Sequence, residues 1–270
     1  MDISFNILGF EIVIKTVVWA TSLITVFSAA LLVTLERIYP YNKGQKFIRE
    51  GFFNDFFLYT FAQSYILGLL FSYMTDAIDS VTQIRSQQIL ADIPVWALVL
   101  ISLVVHDLYI YWFHRWMHNN NYLWRLHEAH HSTTDVDWLS GSRSHAFEIL
   151  INQSVEFGWL VLLGAPAEVM VIKGMISAVW GMYIHCNIDV RSGKLQYIIN
   201  GPEMHRWHHS DKVEEAYNKN FATKFAFWDF IFRTNYFPEG KATVYGIPEP
   251  FPNGFVKQFL HAFRSFNNKA

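Results

Sequence analysis

Long apolar runs, each ending in a polar segment, organise this chain. Residues 16–35 and 56–75 carry no charged side chain, and each run has about the 20 residues that a helix needs to cross a bilayer core. A third run, 93–105, is too short alone but continues without a breaker into HDLYIYWFHRWMH, where polar groups return at helical spacing. This predicts a helix that leaves the membrane and turns amphipathic. A fourth apolar stretch, 149–185, is interrupted by Gly164-Ala165-Pro166 and carries Glu156 and Lys173. The turn signal predicts a helical hairpin that dips into or crosses the membrane. The expected membrane helices are 12–36, 54–76, 93–118 and 149–185. Together they make an all-α integral membrane bundle of about four to five embedded helices.

The polar remainder, 119–148 and 189–270, holds too many aromatics for a linker and too few charges for disorder. It is expected to form a histidine-rich cap, with the catalytic part over about 106–237. No linker-like segment divides the chain, so residues 1–270 read as one domain. Orientation follows from bases in short loops. Arg37, Lys43, Lys46 and Arg49 lie after the first run and only Arg85 after the second, which predicts a cytoplasmic first loop and a cap on that side.

Composition supports lipid contact. Hydrophobic residues are 52% and charged residues 16% of the chain, against roughly 25% charged in soluble domains. The formal net charge of −2 and the lack of a basic run argue against nucleic acid. A single cysteine, Cys186, rules out an intrachain disulfide and any CxxC site. At the N-terminus, Asp2 and Glu11 precede the first base, Lys15, the wrong charge order for a cleavable signal, so the first apolar segment is expected to stay.

The chemistry lies in the histidines. His114 and His118 are four apart and share a helical face. HxxHH occurs twice, as His127, His130, His131 and as His205, His208, His209. In each, the first two histidines are expected to share a face and the third to point to a neighbouring metal. Eight clustered imidazoles exceed the needs of one tetrahedral zinc, which implies two metals with open positions. Imidazole alone does not name the metal. Protons compete for such ligands, so metal and activity are expected to be lost as pH falls through about 6. Asp107 is expected to orient a histidine through its ring N–H, with Glu128 and Glu203 as further supports. His106 and His145 read as supporting or capping residues and His261 as surface. Tyr109, Tyr111, Trp112 and Trp207 are either cavity wall or membrane anchors. Cys186 is either a small apolar residue or an oxidation site.

The ordered series HDLYIYWFHRWMH, LHEAHHS, RSHAFE, HCNID, PEMHRWHHS and NFATKFAFWDFIFRT resembles the fatty acid hydroxylase / sterol desaturase superfamily over residues 105–237. The resemblance implies a non-haem di-iron centre that uses O2 to hydroxylate or desaturate a lipid such as a sterol, fatty acyl or ether lipid, with zinc a possible substitute for iron. It implies nine metal ligands: His114, His118, His127, His130, His131, His185, His205, His208 and His209. Ala146 follows His145 where the family often has proline. The chain has no HPGG-like motif, so an external electron donor is implied: a ferredoxin, cytochrome b5 or reductase. A two-zinc membrane hydrolase would be expected to add bridging carboxylates. A metal transporter would place its ionisable groups inside the spans.

Overall fold

The computed structural model describes residues 3–7, 10–210, 216 and 218–265. Helices dominate: α1 (Thr16–Ile38), α2 (Asn54–Thr82), α3 (Val95–His118), α4 (Asn121–His131), α5 (Ala146–Leu162) and α6 (Ala167–His185). Among the described residues three short helices follow: α7 (Pro202–His208), α8 (Phe227–Ile231) and α9 (Phe255–His261). Four helices, α1, α2, α3 and α6, are long and apolar enough to cross a membrane. The chain is a multi-pass membrane protein.

Three details depart from the apolar pattern. An antiparallel hairpin, β1 (Ile3–Ile7) with β2 (Phe10–Ile14), precedes α1, so the first helix begins at Thr16 rather than near residue 12. The β-branched run Ile12-Val13-Ile14 suits an extended strand at least as well as a helix. The second helix runs on to Thr82, and its first ten residues, Asn54–Gln63, are π-helical. The 149–185 stretch breaks where Gly164 takes φ +75°, and Ala165 N donates to Leu160 O across the turn at 2.9 Å. Only its second arm, α6, is among the four membrane-length helices.

The bundle packs α6 against α1 and α3, and α5 against α2. Leu98, Val99 and Leu103 of α3 meet Leu160 of α5 and Val169 of α6 in a buried apolar layer. The outer faces stay apolar too: Val26 and Phe27 are each 68% exposed, which suits lipid rather than water. At the cap end, polar groups tie the layers together. The Glu36 carboxylate at the end of α1 accepts from Trp138 N and Asn187 N at 2.8 and 2.7 Å. Asp55 lies between Arg49 and Arg143, with contacts of 2.8 Å to each, and Arg49 also reaches Asp137 at 2.8 Å. The first loop and the cap therefore lie at the same end of the bundle.

Candidate metal centre

Nine histidines converge where α3, α4, α6 and α7 meet. Helix α3 supplies His114 and His118 one turn apart, and α4 supplies His127, His130 and His131. Helix α6 ends on His185, and α7 contributes His205 and His208, with His209 immediately after it. Local sequence fixes these helices. Asn120 caps α4, its Oδ1 accepting from Tyr122 N and Leu123 N at 2.9 and 3.1 Å. Pro202 opens α7 at a position where its missing N–H has no cost.

The rings divide into two groups: His114, His118, His127, His131 and His208 in one, and His130, His185, His205 and His209 in the other. Within each group the ligand atoms all lie within 4.8 Å of one another. This corrects the pairing expected inside HxxHH. In both copies the first and third histidines, four apart, share a group, and the middle one crosses to the other. At 100° per residue, position i+4 falls about 40° from i on one side and i+3 about 60° on the other. The two groups abut, with His131 and His209 stacked at a 4.5 Å centroid distance.

The hydrogen bonds around the rings show what the groups are built to hold. His114 Nδ1 lies 2.9 Å from Phe221 O, and His208 Nδ1 2.7 Å from Lys219 O. His130 Nδ1 lies 3.1 Å from Arg143 O, and His185 Nδ1 2.7 Å from Gly181 O. His127 Nδ1 lies 3.0 Å from Glu148 Oε1. A carbonyl or carboxylate oxygen only accepts, so in each of the five rings Nδ1 carries a proton, and in the neutral form of the ring Nε2 keeps a bare lone pair. Yet His127 Nε2 and His114 Nε2 are 3.0 Å apart, and His185 Nε2 and His130 Nε2 are 3.3 Å apart. Two lone pairs cannot hydrogen-bond to each other. Facing lone pairs, each set by a partner at the far ring nitrogen, are the donor arrangement of a metal-binding imidazole.

Electrostatics agree. Burial, reinforced by neighbouring histidines, holds His130, His131, His205 and His209 well below the usual imidazole range and His208 down to about 3. All five rings stay neutral, which is the ligating form.

Asp107, Glu128 and Glu203 fall elsewhere than the sequence reading placed them, whereas His145 is the helix cap it expected. Asp107 supports no ring: it accepts from Thr223 Oγ1, Lys224 N and Phe225 N at 2.7, 2.8 and 2.8 Å. It anchors the loop that brings Phe221 O to His114. Glu128 pairs with Arg264 at 2.8 Å and Glu203 with Arg191 at 2.6 Å. The supporting carboxylate is Glu148, the last residue of the RSHAFE segment and in the first turn of α5, which the sequence reading had not singled out. His145 caps α5 by accepting from Phe147 N at 3.2 Å, and His106 sits with Lys173 and Glu156. Cys186 is fully buried and its thiol is pushed up to about 12, so it is held as an inert protonated group.

A cavity of about 480 Å³ reaches the rings of both groups. Ile110, Phe113, Met117 and Phe157 supply apolar wall, and His114, His127, His130, His185 and His205 close one end. Tyr109, Tyr111, Trp112 and Trp207 do not line it; Tyr111 is buried against Thr234, 2.7 Å between hydroxyls, and Trp207 packs on Tyr236.

The fold and site thus define a membrane protein with a buried, all-histidine, two-compartment metal centre open to an apolar cavity. Comparison with known proteins agrees: the family model for fatty acid hydroxylases matches residues 99–234, half of the chain, and the chain belongs to that family. It is 34% identical over 166 residues to ornithine lipid hydroxylase OlsE of Rhizobium tropici, covering 61% of this chain and 50% of that protein. It is 31% identical over 164 residues to human alkylglycerol monooxygenase, 58% of this chain and 35% of that one. With methylsterol monooxygenase 1-3 of Arabidopsis thaliana it shares 30% over 151 residues, 52% of this chain and 48% of that one. The chain spans about half or less of the length of these relatives. No solved structure matches it significantly.

Proposed function

We propose that this chain is a single membrane-bound oxygenase domain in which the nine histidines hold two iron ions, one per group, and that it hydroxylates or desaturates a C–H bond of a bilayer lipid. Two irons held there would supply activation of O2, with electrons from a separate ferredoxin, cytochrome b5 or reductase. The observation that carries the reading is the pairing of bare Nε2 lone pairs, His127 against His114 and His185 against His130. The names of the relatives, acting on ornithine lipids, alkylglycerols and methylsterols, support a lipid substrate.

The protein's own part is position and dryness. Glu148, Phe221 O, Lys219 O, Arg143 O and Gly181 O fix the ring tautomers so that lone pairs are presented without reorganisation. The cavity's apolar wall excludes water from the reacting carbon and lets an alkyl chain lie against the rings. Both groups consist of histidine alone among the described residues, unlike a two-zinc hydrolase with bridging carboxylates. The basic residues Arg37, Lys43 and Lys46 in the loop beside the cap support a cytoplasmic site.

The test is turnover by the purified protein in lipid nanodiscs, with iron, an electron donor and isotopically labelled dioxygen. A lipid product carrying one labelled oxygen, or a new double bond formed only with O2, supports the reading. Lipid oxidation absent under every donor, with metals bound, overturns it.

A further inference from the structure

Three helices that carry a residue at the metal centre carry a second polar residue deeper in the bundle, on the wall of the same cavity. His106 precedes His114 by eight residues on α3, Glu156 follows Glu148 by eight on α5, and Ser177 precedes His185 by eight on α6. At 1.5 Å per residue each step is about 12 Å along the helix. The cavity therefore has a histidine end and a second polar end, and between them the wall is apolar on α3 (Ile110, Phe113) and polar on α5 (Asn152, Gln153).

The second end is a knot of charges inside the membrane bundle, where such groups are rare and mark function. Lys173 pairs with Glu156, and Ser177 Oγ donates to the same Glu156 oxygen at 2.9 Å. Lys173 Nζ also lies 3.4 Å from His106 Nδ1. Glu156 Oε1 is equally near that nitrogen but already accepts from Lys173 and Ser177; an ammonium has only hydrogens to give, so Nδ1 accepts and the ring proton sits on Nε2. That Nε2–H is buried and has no partner among the described residues. Lys224, 8% exposed, lines the cavity too, close enough for its charge to act on Glu156, His106 and Lys173. Its backbone is fixed by Asp107, but its ammonium makes no hydrogen bond or ion pair among the described residues.

Two cations, Lys173 and Lys224, are balanced by two carboxylates, Glu156 and Asp107, and Asp107's oxygens already accept from the 223–225 loop. Two donors remain without an acceptor. A hydrocarbon at this end would leave both donors buried and unpaired. An anion would unbalance the charge. An uncharged oxygen acceptor satisfies both requirements.

We propose that Lys224 and His106 hold the carbonyl oxygen of an ester or amide group on the lipid substrate, which sets the carbon that lies at the histidines about 12 Å away. The proposal rests on the oxygenase reading for its consequence, but the binding itself needs no turnover. A bound carbonyl makes the knot a ruler: the reacting carbon is counted from that group rather than from the chain end.

The test is ligand binding to the full chain in nanodiscs, with three probes of equal chain length: a fatty acid methyl ester, the corresponding N-methyl amide and the alkane. The ester or amide should bind roughly tenfold tighter than the alkane, the scale of one charge-assisted hydrogen bond. Which of the two binds tighter identifies the linkage. Lys224→Met should erase the difference at unchanged metal content, and Lys224→Arg should restore most of it. Should Lys224→Met fail to fold, the wild type still decides: with the ester carbonyl labelled with carbon-13, its infrared stretch should move to lower frequency on binding. Equal affinity for ester, amide and alkane, a preference that survives Lys224→Met, or an unshifted carbonyl stretch overturns the proposal. Lipid oxidation without a carbonyl preference overturns this inference alone; a carbonyl preference without oxidation overturns the oxygenase reading alone.

Discussion

His127 Nε2 and His114 Nε2 lie 3.0 Å apart, and as neutral rings neither can donate to the other, because each gives its one proton at Nδ1, to Glu148 and to Phe221 O respectively. Unrelieved, this contact is repulsive; a cation between the lone pairs makes it favourable. The site therefore depends on its supporting acceptors as much as on its ligands, and the first prediction follows from one of them.

Glu148 is the one charged acceptor among those five ring supports. Glu148→Gln keeps the size but removes the carboxylate that holds the His127 ring at Nδ1. Metal affinity of the first group should fall by about 10- to 100-fold, with the second group unaffected. Chelator competition on the purified variant measures both; equal loss from the two groups would argue that Glu148 acts on the fold rather than on His127.

Gly141 packs against the ring of His185. A Cβ there would sit 2.6 Å from His185 Nδ1, well inside contact distance, and would break the 2.7 Å bond from that nitrogen to Gly181 O. Gly141→Ala should displace the ring and cost about 1–3 kcal/mol of stability, as overpacking does. Metal should be lost from the second group, which contains His185. Thermal unfolding with metal analysis checks it, and unchanged values in both would show that the close approach is not required.

The buried rings also set a pH dependence. His130, His131, His205 and His209 titrate well below 6.5 in the folded chain, and His208 at about 3, whereas the unfolded chain takes up protons near 6.5. Between these values the unfolded state binds more protons. Stability of the metal-free protein is thus fully present above pH 6.5 and falls as pH drops toward 3. Each such histidine contributes a slope of up to about 1.4 kcal/mol per pH unit. Melting of chelator-treated protein should be flat from pH 8 to 7 and decline below 6.5; a flat profile down to pH 5 would contradict the burial. Metal-loaded protein should hold its metal below pH 6, which revises the loss through about 6 expected from the sequence, because burial keeps these rings neutral to lower pH.

How much of this was legible in the sequence depended on the kind of signal. The apolar runs located α1, α2 and α3, because a membrane imposes length and composition on its helices. The histidine motifs located eight of the nine rings that the fold brings together, because imidazoles four apart share a face on a helix, and the resemblance added His185. The assignment within HxxHH was not legible: whether His130 or His131 joins His127 depends on where the second group stands relative to α4, a tertiary fact. Glu148 closes RSHAFE, but its role there was not legible, and the charge knot of His106, Glu156 and Lys173 gave no motif, since their partners lie 17 to 67 residues away in the chain. Asp107 looked like a ring support by its helical phase, but the loop 223–225 reaches it first.

The central claim is that the nine histidines hold two metals, divided so that His130 and His208 serve different ones. Metal analysis of protein purified from iron-supplied membranes tests it most directly. The account predicts about two irons per chain in the wild type, and about one in His130→Ala and in His208→Ala, with each variant losing the metal of its own group. One metal in the wild type, or the same single metal lost in both variants, would contradict it.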